Sequence, residues 1–315
     1  MRNRETDEIH IVFATDDGYA QHVAVAIVSI LANSPRGGII FHIIGDCLSD
    51  EKKAKISATA ENFHSRAIFY DADDDGHDFY VSAGLSRAAY ARLAIAEILP
   101  GDVSRAIYLD GDLIVTDDIK KLFMHDMGDM PIAGTMDLGI MASSKRRREK
   151  NIVIGLERNE PYFNSGVLLM DIKKWRDEDY GATLIQDATA HKYPHHDQDV
   201  LNKIFMGKWS VLPLRWNVIP PVYQLHMKIL LHGGYRAMAM EARERPAIIH
   251  YAGGYKPWEY ERREGLNEKY YDYLSMSAFS DAPMPQPSAK KGHHSLGRQM
   301  LRNKMGSLWT RMFQK

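Results

Sequence analysis

Cysteine is nearly missing from this chain: Cys47 is the only one in 315 residues. That excludes an internal disulfide and fits a reducing compartment. Long apolar runs are missing too. No stretch approaches the roughly 18 consecutive apolar residues of a membrane span. The N-terminus, MRNRETDEIHIVFA, lacks the charged, apolar and small-residue succession of a secretory signal, so the cytoplasm is the expected location. Two phosphate-binding loops are also absent: no G-x-x-x-x-G-K-[ST] occurs, and no G-x-G-x-x-G follows the first predicted strand. No set of Cys and His suits a tetrahedral zinc site, although His191, His195 and His196 lie close in sequence.

Acidic residues disappear from Ala289 to the end, where seven Lys or Arg occur. The net charge of −1 therefore conceals an acidic body and a basic tail. An acidic body excludes nucleic acid as the expected partner of the whole domain. The tail follows a Pro-, Ser- and Lys-rich linker, DAPMPQPSAKKGHH, which begins at Asp281. It then places Leu296, Met300, Leu301, Met305, Leu308, Trp309, Met312 and Phe313 at helical spacing, among Arg298, Arg302, Lys304 and Arg311. A basic amphipathic helix of this kind suits an anionic membrane surface, with packing on the body or on a second subunit as the alternative. The expected organisation is a domain over residues 1–280 followed by a linker and tail over 281–315.

What is present in the body is an alternation of strands and helices. Apolar, β-branched runs predict strands at Ile9–Ala14, Ile39–Ile44 and residues 67–72, and later at 130–137, 163–172 and 246–252. Helical patterns fall at 22–34, from Ser49-Asp50-Glu51 to about Phe63, and at 88–99, where Pro100-Gly101 stops the helix. This order predicts a mostly parallel sheet with helices on both faces. The acidic stretch DADDDG at 71–76 mimics a Ca²⁺ loop, but its twelfth position is Ser82 where a bidentate Glu is needed.

IYLDGDLIV, residues 107–115, sets Asp110 and Asp112 inside an otherwise apolar strand. Residues i and i+2 of a strand share a side, so the two carboxylates can converge. At ~4 Å their repulsion is several kcal/mol at an effective dielectric of 20. Either one takes up a proton or a hard cation (Mg²⁺, Mn²⁺ or Ca²⁺) sits between them. A hairpin turn at Asp110-Gly111 is the competing explanation.

Six stretches in order carry a family resemblance: FATDDGYA, YARL, YLDGDLIV, YFNSGVLLMDIKKW, HHDQDVLNKIF and IIHYAGGYKPW. Over residues 9 to about 275 the chain resembles glycosyltransferase family 8, retaining enzymes that use nucleotide-diphosphate sugars. The subgroup it is most similar to is that of the bacterial lipopolysaccharide α-glucosyl- and α-galactosyltransferases. The resemblance implies an α/β fold of the GT-A type, a Rossmann-like mixed sheet. It implies that Asp110, Asp112 and His250 ligate Mn²⁺, with His250 as a packed core histidine the alternative. Ligand type alone leaves Mg²⁺ open, and an imidazole ligand favours the transition metal.

By the same resemblance Ala14, Asp16 and Tyr19 bind the base and ribose. Gly253 and Lys256 hold the diphosphate, and Arg92 approaches the donor sugar or phosphates unless it is a surface ion pair. Asp137, Asn164, Asp197 and Gln198 line the sugar pocket, with Asp197 and Gln198 nearest the anomeric carbon. Two departures stand out: Gly18 where relatives often have Asn, and Gly254 where they often have Pro. The implied partners are UDP-glucose or UDP-galactose and a saccharide acceptor. The basic tail favours a membrane-borne acceptor such as a lipopolysaccharide core, and peripheral attachment to the inner face of the cytoplasmic membrane. A haloacid-dehalogenase-type phosphatase would need Thr or Val at Ile114 and the paired Asp residues near the N-terminus. A non-catalytic sugar-binding protein could dispense with the metal ligands, and none is missing.

Overall fold

The computed structural model describes residues 8–283, except 36, 73–86, 158–159, 224–232, 255 and 260–265. Most of the acidic 71–76 loop and the amphipathic tail lie outside the described residues.

In chain order the structure begins β1 (Ile9–Asp16), α1 (Ala20–Asn33), β2 (Ile39–Asp46), α2 (Asp50–Glu61) and β3 (Arg66–Asp71). A 3₁₀ segment (Arg87–Ala94) leads into α3 (Ile95–Ile98), β4 (Arg105–Leu109), β5 (Leu113–Val115), α4 (Lys120–Phe123) and β6 (Ile132–Met136). Next come α5 (Leu138–Met141), α6 (Ser144–Ile154), β7 (Phe163–Asp171), α7 (Ile172–Asp177), α8 (Tyr180–Ala190), α9 (His196–Ile204) and β8 (Trp209–Val211). The rest is a 3₁₀ turn (Leu214–Trp216), α10 (Pro220–Tyr223), α11 (Gly233–Glu244), β9 (Ile248–His250) and α12 (Leu266–Ser275).

Seven strands form one sheet in the order β3-β2-β1-β4-β7-β6-β8. β1, β2, β3 and β4 are parallel, as the alternation of strands and helices predicts, but β7 runs antiparallel to both β4 and β6. The sheet is therefore mixed. Alternate residues feed opposite faces. Ile11, Phe13, Ile107, Leu109, Val167 and Leu169 enter one core with α1 and α2. Val12, Tyr108, Leu168 and Met170 enter the other with α7, α8 and α9. Two-sided burial explains why these strands read as unbroken apolar runs. Phe279 is still buried in the first core, and no helix among the described residues is long and apolar enough to cross a membrane.

Two sequence expectations need correction. Residues 107–115 are not one strand. β4 ends at Leu109, and β5 pairs antiparallel with β9 in a separate two-stranded sheet. The switch is made by the backbone at the aspartates: Asp110 N–H donates to Gly166 O on β7, whereas Tyr251 N–H donates to Asp112 O. Since β4 and β5 do not pair with each other, the Asp-Gly hairpin is also excluded. The second correction concerns 88–99, which begins as a 3₁₀ segment and becomes α-helical only over Ile95–Ile98. The tighter winding puts Tyr90 and Leu93, three residues apart, into the same core.

Across the β1–β2–β3 edge, His42 bridges His10 (3.0 Å) and the Tyr70 hydroxyl (2.8 Å). Burial, aided by His10, depresses the His42 pKa to about 4 from its usual 6.5. An unfolded chain takes up this proton below pH 6.5 while the folded one does not, so stability falls as pH drops from 6.5 toward 4. The expected loss from His42 is about 3 kcal/mol. Urea midpoints measured between pH 7 and 4 should show it, and a His42→Gln variant should show a shallower slope.

Candidate active site

The expected ligands gather where the large sheet hands over to the small one. In the β5–β9 register His250 lies opposite Leu113, which brings its ring beside Asp112. His250 Nε2 is 3.0 Å from Asp112 Oδ1 and 3.6 Å from Asp110 Oδ2. Among the described residues these three form the only His, Cys or carboxylate group whose ligand atoms converge, all within 4.8 Å of one another. The zinc-like His cluster does not form: the His195 ring meets the Lys150 ammonium instead.

The glycines at this place show how the paired carboxylates come together. A methyl group on Gly111 would lie 3.0 Å from Val23 and 3.5 Å from Tyr19, so the backbone between the aspartates is pressed onto α1. A methyl on Gly166 would overlap the His250 ring and come within 2.6 Å of Asp110 Oδ2. Gly166 therefore leaves the space in which ligand atoms meet. Sequence reading passed over it, although a glycine inside a strand signals close approach.

The tautomer of His250 follows from a backbone amide. Gly166 N–H can only donate, and it faces the Asn164 side-chain oxygen at 3.0 Å. That oxygen accepts a second bond from Asn217 Nδ2 (2.8 Å), which turns Asn217 Oδ1 toward His250 Nδ1 (2.8 Å). Nδ1 must therefore carry a proton, and Nε2 is the ring atom turned toward Asp110 and Asp112. A ring held through Nδ1 with Nε2 turned to the carboxylates is the orientation a metal-binding imidazole needs. Asn217 is nearly fully buried and was missed, because a lone Asn between apolar residues carries no distinguishing pattern.

Cations from elsewhere in the chain balance the carboxylates. Burial would raise the Asp112 pKa, but His250 and Lys256 outweigh it and hold the carboxylate far below its ordinary range. Lys256 Nζ donates to Asp112 Oδ2 and to Tyr251 O (2.9 Å). Its loop turns at Gly253, whose φ of 85° is left-handed. The loop is held down by Trp258, stacked on His22 at 3.5 Å and edge-on to Tyr19 at 6.0 Å. Arg92 is buried, not a surface ion pair. It donates to Asp110 (2.9 Å), Asp197 (3.2 Å) and Ser165 O (2.9 Å), over the Tyr108 ring. Burial works against its charge, yet the two carboxylates keep its pKa above the ordinary value. Burial raises the Asp197 pKa in turn, opposed by Arg92.

The remaining expected residues extend from this centre in two directions. Ala14 and Asp16 lie at the carboxyl end of β1, where Asp16 Oδ1 accepts from Tyr19 N–H (3.0 Å). On the other side, Asp137 Oδ2 accepts from Asn164 Nδ2 and Gln198 Nε2, both at 3.2 Å. Gln198 Nε2 also meets the Tyr162 hydroxyl at 3.2 Å, and its oxygen accepts from Ser165 N–H at 3.1 Å. Behind Gln198, Asp199 is fully buried and accepts from Lys150 (2.7 Å), Tyr162 (2.7 Å) and His195 N–H (2.9 Å). The Lys150–Asp199–Tyr162 group was not foreseen, since Lys150 stands in a run of surface cations.

Polar side chains thus gather around the carboxyl ends of β1 and β4, where open α/β sheets commonly bind ligands, with a converging acidic and imidazole set among them. The comparisons supply the class. Residues 10–262 match the sequence profile of glycosyl transferase family 8, and the chain belongs to that family. It is 29% identical over 290 residues to general stress protein A of Bacillus subtilis, covering 90% of this chain and 98% of that one. A lipopolysaccharide 1,2-glucosyltransferase of Escherichia coli is 30% identical over 264 residues, or 82% and 75% of the two chains. The solved galactosyltransferase LgtC, in complex with donor and acceptor sugar analogues, superposes with a TM-score of 0.72 at 28% identity, covering 88% of this chain and 98% of that one. The protein is a glycosyltransferase of GT-A fold, and the phosphatase and non-catalytic readings fall.

Replacing Asn217 by Leu should weaken divalent-metal binding by about 10- to 100-fold, the usual cost of removing the partner of a ligating histidine. Electron paramagnetic resonance titration with Mn²⁺ measures it. Gly166→Ala should lower binding further with secondary structure unchanged.

Proposed function

We propose that this protein is a retaining hexosyltransferase that uses UDP-glucose or UDP-galactose and Mn²⁺, and that it glycosylates a cell-surface saccharide such as a lipopolysaccharide core. The convergence of Asp110, Asp112 and His250 beside Lys256 carries the reading. The donor set fits a divalent cation: two carboxylates plus an imidazole lone pair, with the imidazole favouring Mn²⁺ over Mg²⁺. The named activities of the Escherichia coli glucosyltransferase and of LgtC support hexose transfer.

Bound there, the cation supplies Lewis-acid stabilisation of the charge that grows on a departing diphosphate. The protein residues do the rest. Lys256 and the amides around Gly253 donate to the phosphates. Asp16 accepts the uracil imide N–H, Tyr19 stacks on the base, and Ala14 leaves room for the ribose. Arg92 holds Asp110 and Asp197 at fixed distance, joining the phosphate and sugar ends of the cleft. Asp137, Asn164 and Asp197 take sugar hydroxyls. Gln198, its amide orientation fixed by Ser165 N–H, presents a weakly nucleophilic oxygen near the anomeric carbon. A stable covalent intermediate of the carboxylate type is not required, and front-face attack through a short-lived ion pair suits these groups better. The body over 1–280 performs transfer, while the 281–315 segment attaches it to an anionic membrane surface.

A panel of nucleotide sugars incubated with Mn²⁺ should release nucleotide from UDP-glucose or UDP-galactose alone. Asp112→Asn should reduce this turnover by about 100-fold or more with the fold retained, and wild-type-like turnover would refute metal-assisted transfer. Deleting residues 289–315 should release the protein from anionic vesicles in a sedimentation assay while preserving donor hydrolysis.

A further inference from the structure

Lys150, Asp199 and Tyr162 meet behind Gln198, brought together by α6, α9 and the segment that enters β7. Asp199 and Tyr162 have no exposed surface, and Lys150 is 2% exposed. None of the three reaches a substrate. A lysine this deeply buried is unusual: burial pulls its pKa down, against its pairing with Asp199. Stability is a weak reason to keep such a pair, because apolar residues of similar volume commonly serve a fold as well.

Proton counting shows where the group leads. Ser165 N–H can only donate, and it meets Gln198 Oε1 at 3.1 Å, which fixes the two ends of that amide. The Lys150 ammonium faces both Asp199 oxygens and His195 Nδ1 (2.8 Å), so its three protons are spent. Tyr162 has one hydroxyl proton and two neighbours, Asp199 Oδ1 at 2.7 Å and Gln198 Nε2 at 3.2 Å. An amide nitrogen donates, so the hydroxyl gives its proton to Asp199 and accepts from Gln198. The other Gln198 N–H goes to Asp137 Oδ2 (3.2 Å). The Ser165 hydroxyl lies 3.1 Å from Asp197 Oδ2 and 3.5 Å from Gln198 Oε1, and spends its proton on the nearer carboxylate. One lone pair of the Gln198 oxygen is left without a donor among the described residues.

We propose that Lys150, Asp199 and Tyr162 form a positioning relay that holds the Gln198 amide in one orientation and enriches the negative charge of its oxygen during sugar transfer. Both N–H groups of that amide donate, one to a carboxylate and one to a hydroxyl whose own proton is drawn to a carboxylate. Linked hydrogen bonds polarise one another, and an amide held this way gathers electron density on its oxygen. Such an oxygen stabilises the positive charge that grows on the sugar as the diphosphate leaves. The inference rests on the sugar-transfer reading of the same site.

The test measures kcat and donor KM of the full chain with Mn²⁺ and UDP-glucose or UDP-galactose. Tyr162→Phe, which removes only the hydroxyl, should lower kcat about tenfold, the worth of one hydrogen bond, and leave KM within about twofold. Lys150→Met combined with Asp199→Leu removes both charges at once, so no buried ion is stranded. This pair should lower kcat to a similar degree, and adding Tyr162→Phe to it should cost nothing further, because both changes act through one hydroxyl. A second cycle leaves the ion pair intact: in a Gln198→Ala background, Tyr162→Phe should not change kcat. Wild-type turnover by Tyr162→Phe or by the pair variant, or losses that add in either cycle, would mark the group as a brace between α6 and α9 and overturn the inference. Failure of the sugar-transfer reading looks different: the wild type would then release no nucleotide from any UDP-sugar.

Discussion

Two carboxylates brought together in a dehydrated place must be neutralised, and much of this architecture serves that requirement. Asp110 takes a guanidinium from residue 92 and a hydroxyl from Tyr108; Asp112 takes an ammonium from residue 256 and an imidazole from residue 250. Each partner arrives on a different element. The same contacts that hold the charges therefore tie the 3₁₀ segment, β9 and the loop after it to the end of β4. Stability and chemistry share these bonds, and a cation entering the cleft would join a balance already struck among protein groups.

The polar interior beyond the aspartates is ordered by direction as well as by distance. Starting from Gly166 N–H, every donor and acceptor through Asn164, Asn217 and His250 has one consistent assignment. Asn164 also reaches Asp137, which receives Gln198. The proposed metal ligands and the proposed sugar-pocket residues thus belong to one network in which no member can rotate its amide without leaving a buried group unpaired. A cleft built this way is preorganised, which keeps the cost of orienting a substrate low.

Legibility of this site in the sequence varied with the kind of residue. The chemistry of Asp110 and Asp112 could be read from type and spacing, whereas the roles expected of Lys256 and Gln198 came from the resemblance of the motifs in which they stand. Gly166 was legible in principle, as a glycine interrupting an apolar strand. Asn217 and Lys150 were not, because neither sits in a pattern: one is a lone amide among apolar residues, the other a lysine in a helix of lysines and arginines. Their importance arises from neighbours far away in sequence, Asn164 and His250 for the first and Asp199 for the second. The 3₁₀ geometry of Arg87–Ala94 was hidden for a similar reason. Helical spacing does not reveal that Arg92 is drawn inward by Asp110, just past the end of β4, and by Asp197 on α9.

The amino-acid sequence by itself determined the alternation of strands and helices, the two-faced burial of the sheet and the residue types of the cleft, since hydrophobic periodicity and motif chemistry are local properties. Tertiary structure alone decided that IYLDGDLIV is two strands in two sheets. The hydrogen bonds that part them, from Asp110 to Gly166 and from Tyr251 to Asp112, join segments 56 and 139 residues apart. A break of that kind is set by the partners each half finds, and an isolated apolar run does not record who its partners are.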